Sequence, residues 1–174
     1  MTMIDTRTEG FDVRAATAAP LRMEGVFTFE ATPEEVWPHI TDPNAIAKWF
    51  LMITHGRVDH SRSQSREAWG EGSVRHCHTM GMGTLHETIR AYRPPHLIAY
   101  SAKAWSMPIK DHLGVMTLER VSGGTKFTWR QYFNYKGLVM RHFFPAMMIG
   151  MMNRGARQLT RRFGGPGGTM RKVR

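Results

Sequence analysis

The titratable residues with the most useful spacing are Arg75, His76, His78, His86 and Glu87, on two segments that flank Gly81-Met82-Gly83. A turn at those glycines pairs the segments as antiparallel strands and gathers the five residues in one stretch of sheet. A three-residue loop sets His78 opposite His86, whereas a two-residue loop sets His76 opposite Glu87. Strand alternation with Leu85 and Ile89 turns Glu87 inward, and Arg75 and Cys77 lie on that face. A buried carboxylate needs a partner, and Arg75 is the predicted one. Such a pair is either a structural ion pair or a group that orients a ligand or exchanges a proton with it.

His76 and His78 can supply two imidazoles from one strand, with His86 or His112 as a third metal ligand. That spacing is not diagnostic, and alternating histidines also occur on plain exposed strands, so no metal and no cofactor is assigned. His112 follows Trp105-Ser106-Met107-Pro108, a segment expected to cover a cavity mouth. A histidine there is a candidate base or an ordinary sheet residue. The catalytic candidates are therefore Glu87, His112 and Arg75. Phosphate-cradling glycine loops and the nucleophile elbow of serine hydrolases are absent from the sequence, which removes the motif-bearing nucleotide and hydrolase chemistries.

These residues must be positioned by a definite series of elements. Phe27 and Phe29 alternate with Thr28 and Glu30, giving a first strand with one core-facing side. Thr32 with Glu35 forms a capping box, and Pro33 takes the first helical position. Asp42 and Pro43 repeat the signal for a second short helix. From Ile53 to Tyr135 the chain reads as consecutive strands, at about Val74–Met80, Thr84–Tyr92, His96–Ala102, Ile109–Val121 and Thr125–Tyr135, with Ser61–Gly72 as a long polar connection. In the last of these Phe127, Trp129, Gln131 and Phe133 share one face, expected to line the concave side. A closing helix, about Gly137 to Phe163, carries Met140, Phe144, Met147, Met148, Met151 and Leu159 at helical spacing, with a kink or break expected at Pro145. One strand, two short helices, a meander and a long helix predict an α+β helix-grip fold, in which a curved antiparallel sheet wraps the C-terminal helix. The predicted ligand-binding set is Phe127, Trp129, Gln131, Trp105, Phe144, Met147 and Met151. Trp129 and Trp105 can stack a planar ligand, and the methionines adapt to varied apolar shapes or simply fill an irregular core.

The 174 residues suit one domain, expected over 22–163, between a mobile N-terminal arm of residues 1–21 and a flexible basic tail of residues 164–174. Twenty-four Lys and Arg against fourteen Asp and Glu give a net charge of +10, with much of the excess in Arg154, Arg157, Arg161, Arg162, Arg171, Lys172 and Arg174. That end either complements the helix dipole as a solvated terminus or meets an anionic surface, RNA or membrane. Nucleic acid is not an expected partner, because the aromatics lie at inward positions instead of being interleaved with the basic residues. A lone Cys77 forms no internal disulfide. The longest apolar run, Phe143 to Met152, is broken by Pro145 and Gly150 and falls short of the roughly 20 residues of a membrane span. The expectation is a cytoplasmic protein, monomeric or homodimeric.

Taken together, the run from Ala31 to Trp49 (ATPEEVW-x-x-I-T-D-P-x(5)-W), Gly70 to Arg75 (G-x-G-S-V-R), Leu85 to Ile89 (L-x-E-x-I), Pro94 to Tyr100 (P-P-x-x-x-x-Y) and Gly124 to Trp129 (G-T-x-x-x-W) resembles the START-like, or SRPBCC, superfamily, in its polyketide cyclase/dehydratase-like branch. The resemblance covers about residues 23 to 163. It implies a deep apolar cavity between the long helix and the sheet that binds hydrophobic or amphipathic small molecules, and the ligand expected here is a hydrophobic, aromatic or polyketide-like one. Members of this superfamily close rings, dehydrate, or carry lipids or quinones. No invariant catalytic residue carries over.

Overall fold

The computed structural model describes residues 7–8, 10–66, 68–81 and 83–173. Strand β3 (Leu21–Phe29) feeds two short helices, α2 (Pro33–Thr41) and α3 (Pro43–Ile46). Both start as their local sequence dictates. The Thr32 side chain accepts from the Glu35 amide while the Glu35 carboxylate accepts from the Thr32 amide, and Asp42 accepts from the Asn44 and Ala45 amides ahead of α3. The meander follows as β4 (Ile53–Asp59), β5 (Val74–Thr79), β6 (Gly83–Arg93), β7 (Leu97–Lys103), β8 (Ile109–Val121) and β9 (Gly124–Tyr135). Helix α4 (Met140–Phe163) then crosses the sheet. It starts three residues later than expected and runs unbroken through Pro145, so the expected break is not there. In α4 Gly155 is where a methyl group would meet the Trp49 ring at 2.9 Å; the missing side chain lets the helix lie directly on Trp49 and Phe50, in the turn that follows α3.

With a last strand, β10 (Gly167–Lys172), all neighbouring strands of the large sheet are antiparallel, in the order β10-β3-β9-β8-β7-β6-β5-β4. The main core fills the concave side, where Phe27, Phe29, Phe127, Trp129 and Phe133 of the sheet meet Phe144, Met152 and Leu159 of α4, with Val36, Ile40 and Trp49 closing one end. This is the helix-grip architecture.

Both flanking segments differ from expectation. Residues Gly167–Lys172 form strand β10, which pairs with β3 from Gly167 opposite Thr28 to Lys172 opposite Met23, and Met170 is buried in the core. Backbone pairing needs no apolar alternation, so a glycine-rich basic segment can still complete a sheet edge. At the other end residues 1–6 lie outside the described residues. Beyond them β1 (Arg7–Thr8) pairs with β2 (Phe11–Asp12), and Asp12 caps a single turn, α1 (Val13–Ala16). Val13 and Ala19 are buried in a second cluster with Leu97, Ala99, Leu113, Val115 and Tyr132 on the outer face of the sheet. Thr17 Oγ1 donates to the Asp111 carbonyl at 3.0 Å, fastening this segment to β8.

The β5–β6 register also departs from both sequence alternatives. Thr79 pairs with Gly83, so Arg75 stands directly opposite Glu87 and His76 opposite His86. The inward and outward faces are as alternation predicts.

Candidate functional site

Between α4 and the sheet lies an apolar cavity lined by twenty residues, among them Met23, Met52, Leu85, Met107, Ile109, Phe133, Phe144, Met148 and Met152. Its volume is about 90 Å³, well below the roughly 300–1,000 Å³ of pockets that take drug-sized ligands. A small ring or chain end fits it as shaped, and a larger guest must displace lining side chains. Five of those are methionines, whose flexible thioethers move at little cost.

One wall is polar. Glu87, Tyr100, Gln131 and His112 all face the cavity, from strands β6, β7, β9 and β8. Tyr100 is the hub, because its phenolic oxygen accepts from Trp129 Nε1 and from Gln131 Nε2, each at 3.2 Å. With both acceptor positions used, its own hydrogen is available to the cavity. Burial, with the Glu87 charge nearby, pushes the phenol up to about 12, so it remains a donor at physiological pH. The cavity therefore presents a preorganised hydrogen-bond donor. The sequence reading named Tyr100 only as the end of the Pro94–Tyr100 run and gave it no role; its position two residues from Ala102 on an inward-facing alternation was the available signal.

Glu87 Oε2 lies 2.9 Å from Arg75 Nε and accepts from the Cys77 thiol at 3.4 Å. The Arg75 Nε–H is not aligned for a hydrogen bond, so the contact is one of charge at close range. Arg75 is only 1% exposed and Glu87 5%. Burial pulls the guanidinium down, and the charges of Glu87 and its neighbours more than offset that, leaving it raised. Arg75 Nη1 also donates to the carbonyls of Thr41 (3.0 Å) and Ile40 (3.3 Å), and the guanidinium lies 4.8 Å over the Tyr100 ring. It thus closes the C-terminal end of α2, where free carbonyls and the helix dipole favour a cation. Of the three catalytic candidates, Arg75 sits behind the cavity wall and Glu87 on it.

His112 is fixed by both ring nitrogens. Nδ1 accepts from the Ala102 amide at 3.0 Å, so the proton is on Nε2, which donates to Gln131 Oε1 at 2.6 Å. Burial lowers its pKa, with the Gln131 bond acting the other way. A neutral imidazole with no free nitrogen orients Gln131 and is not an unengaged base.

The remaining expected residues divide. Trp129, Gln131 and Phe144 line the cavity, whereas Phe127 is buried in the core beside it. Met147 is 50% exposed and Met151 packs at the core margin; the cavity takes Met148 and Met152 instead. Trp105 is 89% exposed and stacks on nothing inside, although its neighbours Ala104, Met107 and Pro108 do cover the cavity. His76 and His86 meet on the outer face with their Nδ1 atoms 2.9 Å apart, away from the cavity. Among the described residues no group of three His, Cys, Asp or Glu is placed to hold a metal ion, and no helix is long and apolar enough to cross a membrane.

Comparison with known proteins agrees with this geometry. The family described as polyketide cyclase/dehydrase and lipid transport matches residues 20–164. Among solved structures, XoxI from Bacillus cereus is similar at 16% identity and a TM-score of 0.65, over 83% of this chain and 96% of that one. CalU16 from Micromonospora echinospora is similar at 20% identity and a TM-score of 0.52, over 81% and 80%. DynU16, from the dynemicin biosynthetic locus, is similar at 18% identity and a TM-score of 0.56, over 80% of this chain and 47% of that one. At these identities the likeness is one of fold. No curated protein matches the chain.

Proposed function

The chain belongs to the polyketide cyclase/dehydrase and lipid transport family, and from that premise we propose that it binds a hydrophobic, aromatic or polyketide-like small molecule between α4 and the sheet. The observation that carries this reading is the polar strip of Glu87, Tyr100 and Gln131 on one wall of an otherwise apolar cavity. A few convergent polar groups in an apolar enclosure orient a ligand that the apolar walls hold. Tyr100 donates to a ligand carbonyl, and Glu87 Oε1, the oxygen not engaged by Arg75 and Cys77, lies ready to accept a proton or a hydrogen bond. That pair suits enolisation beside a polarised carbonyl, the step that ring closure and dehydration share. A carrier uses the same groups as anchors without turnover.

Native mass spectrometry of freshly purified protein is the test. A co-purified apolar molecule, retained by the native protein and released more readily from Tyr100→Phe, is the expected result. Since one hydrogen bond contributes about 0.5–1.5 kcal/mol, the affinity should fall by roughly 2- to 12-fold. A bound molecule indifferent to Tyr100→Phe and to Glu87→Gln places the ligand elsewhere and overturns the assignment.

A further inference from the structure

Strand β8 is sealed on one edge and open on the other. Its pairing with β9 runs from Ile109 to Val121, interrupted by a bulge between Lys110 and Leu113. Its pairing with β7 stops at Gly114 opposite Tyr100, although β7 continues to Lys103 and β8 begins at Ile109. Within the bulge Asp111 has φ +56°, a left-handed conformation that costs a residue with a side chain about 1–2 kcal/mol. Across the resulting gap the His112 imidazole accepts the Ala102 amide that a strand carbonyl would otherwise bond. His112 therefore plugs a seam in the sheet.

A second pocket, of about 550 Å³, lies on the outer side of that seam. Five residues, Ala102, Ala104, Met107, Ile109 and His112, line both it and the inner cavity, so the wall between them is one side chain thick. The N-terminal segment Ala16–Ala19, held by the Thr17 bond to Asp111, forms its far side. Among the described residues its charged lining is Arg90, Lys103, Lys110 and Lys136 against the carboxylate of Asp111, which itself accepts from Asn134 Nδ2 at 3.1 Å. The three lysines form no ion pair among the described residues.

We infer that the two spaces form one site for an anionic amphiphile, whose apolar body occupies the inner cavity and whose carboxylate, sulfonate or phosphate lies outside among Lys103, Lys110 and Lys136, with the chain passing beside His112. This rests on the cavity-binding reading and adds the class of ligand. It also accounts for the small inner volume, since the cavity need hold only part of the molecule. Displacing His112 from Ala102 opens the seam, and the bulge supplies the backbone slack for that movement.

The test is isothermal titration of the full chain with naphthoate and with naphthamide, which share a ring system and differ in charge, repeated on the Lys103→Gln/Lys110→Gln/Lys136→Gln variant. All three lysines are exposed, so the variant keeps its core. The expected result is naphthoate binding about tenfold more tightly than naphthamide in the native protein, with the difference shrinking at high salt and vanishing in the triple variant. Naphthamide binding with no preference for naphthoate leaves the cavity reading intact and overturns the shared site. Naphthoate binding that depends on the lysines but is not competed by naphthamide shows an isolated outer anion site and also overturns it. If neither probe binds, the cavity reading itself fails.

Discussion

The two edges of β8 obey different rules. Toward β9 the ladder is long and nearly continuous, and its inward side chains belong to the packed core. Toward β7 four residue pairs suffice, and the remaining length is bridged by one imidazole. A continuous ladder satisfies every backbone group by itself and leaves nothing for side chains to do. A short one transfers part of that task to side chains, which can move. The rigid edge holds Trp129 and Gln131 in place, and the open edge is where Tyr100 and His112 acquire partners that strand pairing alone would not give them.

The largest expected effect lies in the closed part of the sheet. Arg75→Met leaves Glu87 buried without its counter-charge and frees the Ile40 and Thr41 carbonyls. Breaking a buried pair costs about 3–5 kcal/mol, and Arg75→Met with Glu87→Leu should recover most of it; urea unfolding of both variants checks this. Recovery would show that the pair serves the site or the fold's specificity more than its stability.

Next comes Gly114→Ala, at the last pair before the seam. A methyl group there would meet the Tyr100 ring at 2.4 Å, so the ring must shift off its Trp129 and Gln131 donors. A loss of about 1–3 kcal/mol is expected, with ligand affinity falling alongside thermal stability. A variant that is less stable yet binds normally would detach Tyr100 from the site.

The third effect is on pH dependence. Burial lowers the pKa of His112 in the folded state, so below about pH 6.5 the unfolded chain takes up a proton that the folded chain refuses. Its contribution is therefore present above the unfolded value and is lost as pH falls from there toward the lowered folded one. His112→Gln should flatten the stability profile in that window and lower it by a pH-independent amount above pH 7, because the imidazole's bonds to the Ala102 amide and Gln131 are not both replaced; thermal melts check this. The smallest effect is favourable. Asp111→Gly relieves the left-handed backbone and should raise stability by no more than about 1 kcal/mol, because it also loses the Asn134 contact.

Legibility in the sequence followed range. The capping box at Thr32 and Glu35 and the Asp42-Pro43 start are local, and the helices begin where those residues require. Alternation correctly turned Arg75 and Glu87 inward, because the observed register differs from the three-residue-loop alternative by an even step and only an odd slip would part them. The register itself depends on how the chain turns between Thr79 and Gly83, which glycine spacing alone leaves open. Met147, Met148, Met151 and Met152 are all apolar, so composition could not say which pair faces the sheet. The seam at His112, the arm over the outer face and the β10 pairing arise from contacts distant in sequence, and nothing in their own residues announces them.

The β10 strand carries a consequence for synthesis. Among the described residues it follows the other strands yet bonds to β3, the first strand of the large sheet. While the ribosome is still making residues 167–172, the backbone groups along that flank of β3 have no permanent partner, and a neighbouring nascent chain can pair with them. Translation speed through residues 167–172, and chaperone access during those seconds, should then influence how much of the protein reaches its native state.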